Sequence, residues 1–196
     1  MPSPYCVSHY RSARTPLRQC ELLSAVHRVL IVPASLGTTA MTLETVTVEY
    51  AVVVTQDCDL EQDHGVRFIN PKPESDKLVP SVMLAVVRPA ADIFATIADS
   101  NKKNWERLKI ETNKNERFHF LQKVERADDR GGTGLPELAI DFKRYFSLPT
   151  DELYRRLELG ETQRRCVLVS PYLEHLSTRF AGYLCRVALP ADHASD

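Results

Sequence analysis

Residues 45–55, TVTVEYAVVVT, constrain the fold of this chain more than any other stretch. The first half alternates apolar and polar residues with the period of two that a half-buried strand shows. The second half, Ala51-Val52-Val53-Val54, is continuously apolar. A strand of this kind starts in contact with solvent and ends buried on both faces, so a sheet has to form around it. It runs directly into a polar, acidic segment, residues 56–64 (QDCDLEQDH), and so delivers carboxylates to its own C-terminal end.

Other strand signals lie on either side. Leu22, Val26 and the run 29–32 make a β-rich segment closed by Pro33, and residues 82–87 (VMLAVV) make a buried strand stopped by Pro89. Residues 117–124 alternate with Phe118 and Phe120 on one side, and residues 138–146 and 166–169 complete the set. Residues 91–110 have helical composition with a break at 99–101. Thr150, followed by Asp151 and Glu152, opens a short helix. Ser170-Pro171 opens a last helix, with Leu173, Leu176, Phe180, Leu184 and Val187 at three- and four-residue spacing. Strands in series, with helices inserted late, predict an α+β fold built on a small antiparallel, barrel-like sheet with a C-terminal helix. Length predicts one domain over residues 20–190, preceded by a loosely ordered arm (1–19) and followed by a flexible tail (191–196).

Charge narrows the function classes. The 25 basic and 26 acidic residues nearly cancel, which excludes a chain-wide footprint for nucleic acid and leaves room only for a local patch. The five cysteines are scattered, with no CxxC pair, as expected of reduced thiols in the cytoplasm. Residues 1–19 lack the apolar core of a secretory signal, and the apolar stretch 22–33 is interrupted by His27 and Arg28, so no membrane association is expected. There is no Gly-rich nucleotide loop, HExxH or GxSxG, and no cofactor is expected.

Three clusters remain as candidate sites. In an extended segment Asp57 and Asp59 point to one side and Cys58 to the other; such carboxylates either orient a basic group or cation, or accept backbone N–H bonds in a turn. Cys58 as a nucleophile needs a base in reach, or else it is an inert buried thiol. Residues 141–146 (DFKRYF) interleave bases with aromatics, and alternation would place Phe142, Arg144 and Phe146 on one face, with Lys143 on the other. Such a strand either stacks bases and contacts phosphates or is simply half-buried. On the last helix, Tyr172, His175 and Arg179 fall on one polar face, suited to acid–base work or phosphate contact, or to covering the solvent side.

The segment VVVTQDCDLEQD and the later IDFKRYFSLPTDELYRR and SPYLEHLSTRFAGYLCRVALP resemble a set of bacterial proteins, a likeness that brings no activity with it. A fainter likeness is to the MazF/PemK toxins, SH3-like barrels that cleave single-stranded RNA in toxin–antitoxin systems. It rests on Val52-Val53-Val54-Thr55 and on residues 82–87, which stand where two strands of that barrel would be. Glu49-Tyr50 occupies the place of that family's Arg-Pro pair, whose arginine serves cleavage. The resemblance implies an SH3-like barrel. The expectation is a cytoplasmic protein that binds RNA or a protein partner, possible also as a homodimer. Lys143, Arg144 and Arg179 would contact nucleic acid. The alternatives are a ribonuclease or other hydrolase using Asp57, Cys58, Asp59 and His175, or an interaction module in a stress or defence system.

Overall fold

A computed structural model describes residues 3–7, 14–33, 41–97 and 100–186. Seven strands form one antiparallel sheet: β1 (Tyr5–Cys6), β2 (Glu21–Pro33), β3 (Met41–Val53), β4 (Ser81–Pro89), β5 (Phe118–Leu121), β6 (Leu138–Pro149) and β7 (Gln163–Leu168). Their order across the sheet is β1-β7-β2-β3-β4-β6-β5, and the sheet curls into a half-barrel. The helices are α1 (Asp57–His64), α2 (Ala90–Ala95), α3 (Ser100–Glu111), α4 (Thr150–Glu158) and α5 (Tyr172–Leu184). The architecture is therefore α+β. No helix among the described residues is long and apolar enough to cross a membrane.

The apolar end of β3 sets the layers. Val52 joins Leu22, Ile140, Phe142 and Cys166 beneath Leu176 and Phe180 of α5. Val53 turns the other way, joining Leu23, Leu84 and Leu60 of α1 beneath Leu153 and Leu157 of α4. Neighbouring residues are thus buried on opposite faces, as the unbroken apolar run predicts. A third cluster, at the β5–β6 edge, packs Ile93, Phe94 and Ile110 of α2 and α3 against Ala139, Phe118 and Phe120.

Four expectations are corrected. The segment 57–59 is the first turn of α1 rather than extended chain, so Asp57 and Asp59 do not share a side in the way alternation implies. Tyr5 and Cys6, inside the stretch expected to form a loose arm, pair with Val167 and Leu168, and Leu17 is fully buried; residues 8–13 lie outside the described residues, as does the tail 191–196. Thr150 does not cap α4 with its side chain: its hydroxyl donates to the Val79 carbonyl instead. Finally, β6 does not alternate through residues 142–144. Its register against β4 slips between the pairs Ala85↔Tyr145 and Val86↔Asp141, which leaves Phe142, Lys143 and Arg144 without partners on β4. Phe142 turns into the core and Arg144 turns out to solvent, so the two share no face.

Candidate functional site

The start of α1 and the last helix meet across a groove of about 620 Å³. Gln56, Asp57 and Cys58 form one wall, and Leu176, Ser177, Phe180 and Leu184 of α5 form the other. Asp57 is already engaged there. Arg18 grips it through two hydrogen bonds of 2.9 and 2.6 Å, and the Gln19 backbone N–H donates to it at 2.7 Å. Its role is to tie the segment before β2 to the start of α1, where a carboxylate also suits the helix dipole. Cys58 is exposed, not buried, and its Sγ lies 3.7 and 3.6 Å from side-chain oxygens of Gln56 and Asp59; neither is the nitrogen base that a thiol nucleophile needs. Cys20 lines the same groove, and burial pushes its thiol up to about 12. Asp59 is exposed on α1. Among the described residues no group of three or more His, Cys, Asp or Glu side chains is placed to hold a metal ion.

His175 and Arg179 lie away from that groove, on the flank of α5 that faces β5. Arg179 donates to Asn113 Oδ1 and His119 Nδ1, both at 3.0 Å, and to the backbone carbonyls of Asn115 and Phe118. Its fork is filled by the turn between α3 and β5, so it acts as a clamp. Receiving a hydrogen bond at Nδ1 leaves the neutral His119 ring with its proton on Nε2. Burial, then the neighbouring Arg179 and His175, hold His119 down to about 3. The exposed His175 ring packs 5.2 Å from the His119 ring.

The third candidate region differs in kind. Most arginines that form an ion pair sit squarely on a carboxylate: Arg18 on Asp57, Arg67 on Asp63, Arg117 on Asp141, Arg156 on Glu152 and Arg165 on Asp129. Three others converge instead on a cleft of about 430 Å³: Arg28 from β2, Arg88 from the end of β4 and Arg144 from the β6 irregularity. The Arg28 guanidinium stacks 5.0 Å over the Phe146 ring, and its Nε has no hydrogen-bond partner among the described residues. Arg88 has no ion pair among them either. Arg144 reaches only the edge of Asp141, at 3.6 Å, because Arg117 already holds that carboxylate with bonds of 2.7 and 2.6 Å. Tyr145 lies half-exposed in the same cleft with Thr47, and Glu49 and Asp92 add two carboxylates to its lining. Lys143 is exposed on the same irregular stretch, one residue from Arg144.

Of the sequence candidates, then, Lys143 and Arg144 stand together, His175 and Arg179 stand together elsewhere, and Asp57, Cys58 and Asp59 occupy a third place. Arg28 and Arg88 escape a reading by motif because they come from distant strands. Arg28 does leave a trace, as a charge interrupting an otherwise apolar β run. His119 leaves none, since only the fold brings it to Arg179. The chain matches no family model, no curated protein and no solved structure.

Proposed function

We propose that this protein binds single-stranded RNA in the cleft between β2, β4 and β6. The reading is carried by one observation: Arg28, Arg88 and Arg144 turn into a common concavity beside Tyr145, while the arginines that form ion pairs are mostly spent on carboxylates. Guanidinium groups that no carboxylate grips closely are suited to phosphate oxygens, and an exposed tyrosine supplies a face on which a base can stack. Glu49 and Asp92 make inorganic phosphate a poor occupant, whereas the N–H donors of a nucleobase edge give those carboxylates partners. Kinship with the SH3-like barrels of the MazF/PemK type belongs to the same proposal, supported by the curled antiparallel sheet and the C-terminal helix. Arg179 is not among the RNA-binding residues, because its donors are filled.

Fluorescence anisotropy with a labelled single-stranded oligoribonucleotide pool, titrated at several salt concentrations, tests the proposal. Alanine at Arg28, Arg88 or Arg144 is expected to weaken binding about tenfold and to reduce the salt slope by roughly 0.7 for each phosphate left without its guanidinium. Tyr145→Ala removes a stacking platform, an expected loss of about tenfold with little change in salt slope. Asp59→Ala, on another surface, leaves affinity unchanged. Equal affinity in wild type and the Arg88→Ala and Arg144→Ala variants would overturn the proposal. RNA recovered cut rather than intact, with cutting abolished by Asp57→Ala, would replace it with the ribonuclease reading.

A further inference from the structure

We propose that a second copy of this chain packs against the outward face of the ribbon formed by the far ends of β2 and β3. β7 pairs with β2 only over residues 21–24, and β4 pairs with β3 only over residues 50–53. The pairing of β2 with β3 nevertheless continues to Pro33↔Met41, so its outer half is a two-stranded ribbon with no third strand on either edge among the described residues. Such a ribbon is at best marginally stable in water without something packed on a face.

Its residues sort by face. Arg28, Leu30 and Val32 lie on the partly covered side. The opposite side carries the cross-strand pairs Val29↔Thr45, Ile31↔Leu43 and Pro33↔Met41. Alternation with one covered face calls for polar residues on the other. Here the other face is apolar as well: Val29 is 55% exposed, Ile31 69%, Met41 59% and Leu43 73%. The apolar face ends toward the body of the molecule at a polar pair, Thr47 with its hydroxyl 3.1 Å from His27 Nδ1.

Two features select a second copy as the occupant. No residue on this face between Val29 and Thr45 carries a charge, and an uncharged apolar patch is complementary to itself about a two-fold axis, as a charged one is not. The area also fits. The four large side chains expose together roughly 450 Å², a size that on a single chain marks an interaction surface. A standard interface buries about 800 Å² per partner, a little more than half of it apolar, so its apolar share is about the same.

Sedimentation equilibrium of the purified full chain over a dilution series tests this. The expected result is a mass twice the 22.2 kDa of one chain at the upper concentrations, falling toward 22.2 kDa on dilution. Ile31→Glu and Leu43→Lys, at positions that touch solvent in the single chain, are each expected to sediment at the single-chain mass with an unchanged far-ultraviolet spectrum. An equimolar mixture of the two is expected to regain the doubled mass. A wild-type chain that stays at 22.2 kDa at every concentration overturns the proposal without reference to any variant. So does a doubled mass that survives both substitutions, or a single chain that instead carries a different protein on this face.

Discussion

At the scale of the residue, two groups with clearly shifted values, Asp129 and His119, sit in polar clusters that hold the fold together. Asp129 sits in a Gly-rich stretch, residues 128–134 (DDRGGTG), and its partner Arg165 lies 36 residues away, so the pair cannot be read from the sequence. Arg165 binds both carboxylate oxygens at 2.7 Å, and the backbone N–H groups of Gly131, Thr133 and Gly134 complete the shell. The turn needs glycine at 134, where φ is +77° and a Cβ would stand 2.8 Å from the Val124 carbonyl oxygen. Burial works to raise the Asp129 pKa, but the Arg165 and backbone hydrogen bonds prevail and hold it at about 2 against an ordinary 3.8. Its stabilisation is therefore full above 3.8 and is lost as pH falls toward 2. His119 acts over a higher window. With a folded value of about 3 against an ordinary 6.5, it stays neutral while the unfolded chain takes up a proton, so stability is lost as pH falls from 6.5. Urea denaturation at a series of pH values should show a loss approaching about 1.4 kcal/mol per pH unit from this one group between about pH 6 and 4. His119→Gln, which keeps an acceptor for Arg179, is expected to flatten that limb while leaving the Asp129 loss below about pH 4 in place. An unchanged slope in the variant would mean that His119 titrates freely.

At the scale of the element, what could be read depended on whether a segment carries its own apolar period. β3, β4 and α5 do, and each forms around its pattern, although β3 starts earlier, at Met41, and Val187 of the last helix's spacing lies outside the described residues. α1 does not. QDCDLEQDH has no amphipathic stripe, and its helix is held by tertiary contacts instead: Leu60 in the core, and buried Asp63 gripped by Arg67 and by the Val79 N–H at 2.8 Å. A propensity reading cannot see partners 4 and 16 residues on. The same limit explains Arg179, whose place on a polar helix face suggested a ligand contact. Its four acceptors lie on the α3–β5 turn and β5, around Asn113, itself held at a left-handed φ of 56°. The clamp depends on a planar fork, so lysine is not a conservative replacement. Arg179→Lys is expected to destabilise the fold by about 2 kcal/mol, because the buried His119 and three half-buried acceptors lose charged donors. Hydrogen exchange should quicken at Phe118 and Phe120 and along α5, while RNA affinity per folded molecule stays the same. A fall in affinity with unchanged exchange would return Arg179 to the binding surface.

At the scale of the whole molecule, the near-zero net charge and the arginine cleft are compatible because most of the cationic side chains that pair are neutralised locally. No global count distinguishes a spent arginine from an unspent one; that requires knowing which carboxylates the fold brings near. The ribbon poses the converse problem. Its sequence reads as strand over 29–32 and from Thr45 onward but not over 41–44, where β3 begins, and apolarity implies burial, which for Val29, Ile31, Met41 and Leu43 does not hold within one chain. If a second copy supplies the missing cover, folding and association are linked, and a species that binds only the folded form raises stability by mass action. The midpoint of thermal unfolding should then rise with protein concentration in the wild type. Ile31→Glu should show a midpoint independent of concentration and equal to that of the wild type at high dilution. The ribbon amides of residues 29–32 should exchange slowly only where the midpoint is raised, since an uncovered two-stranded ribbon opens readily. A wild-type midpoint independent of concentration, with ribbon amides protected all the same, would mean that the ribbon is stable by itself and its apolar face is open to another occupant.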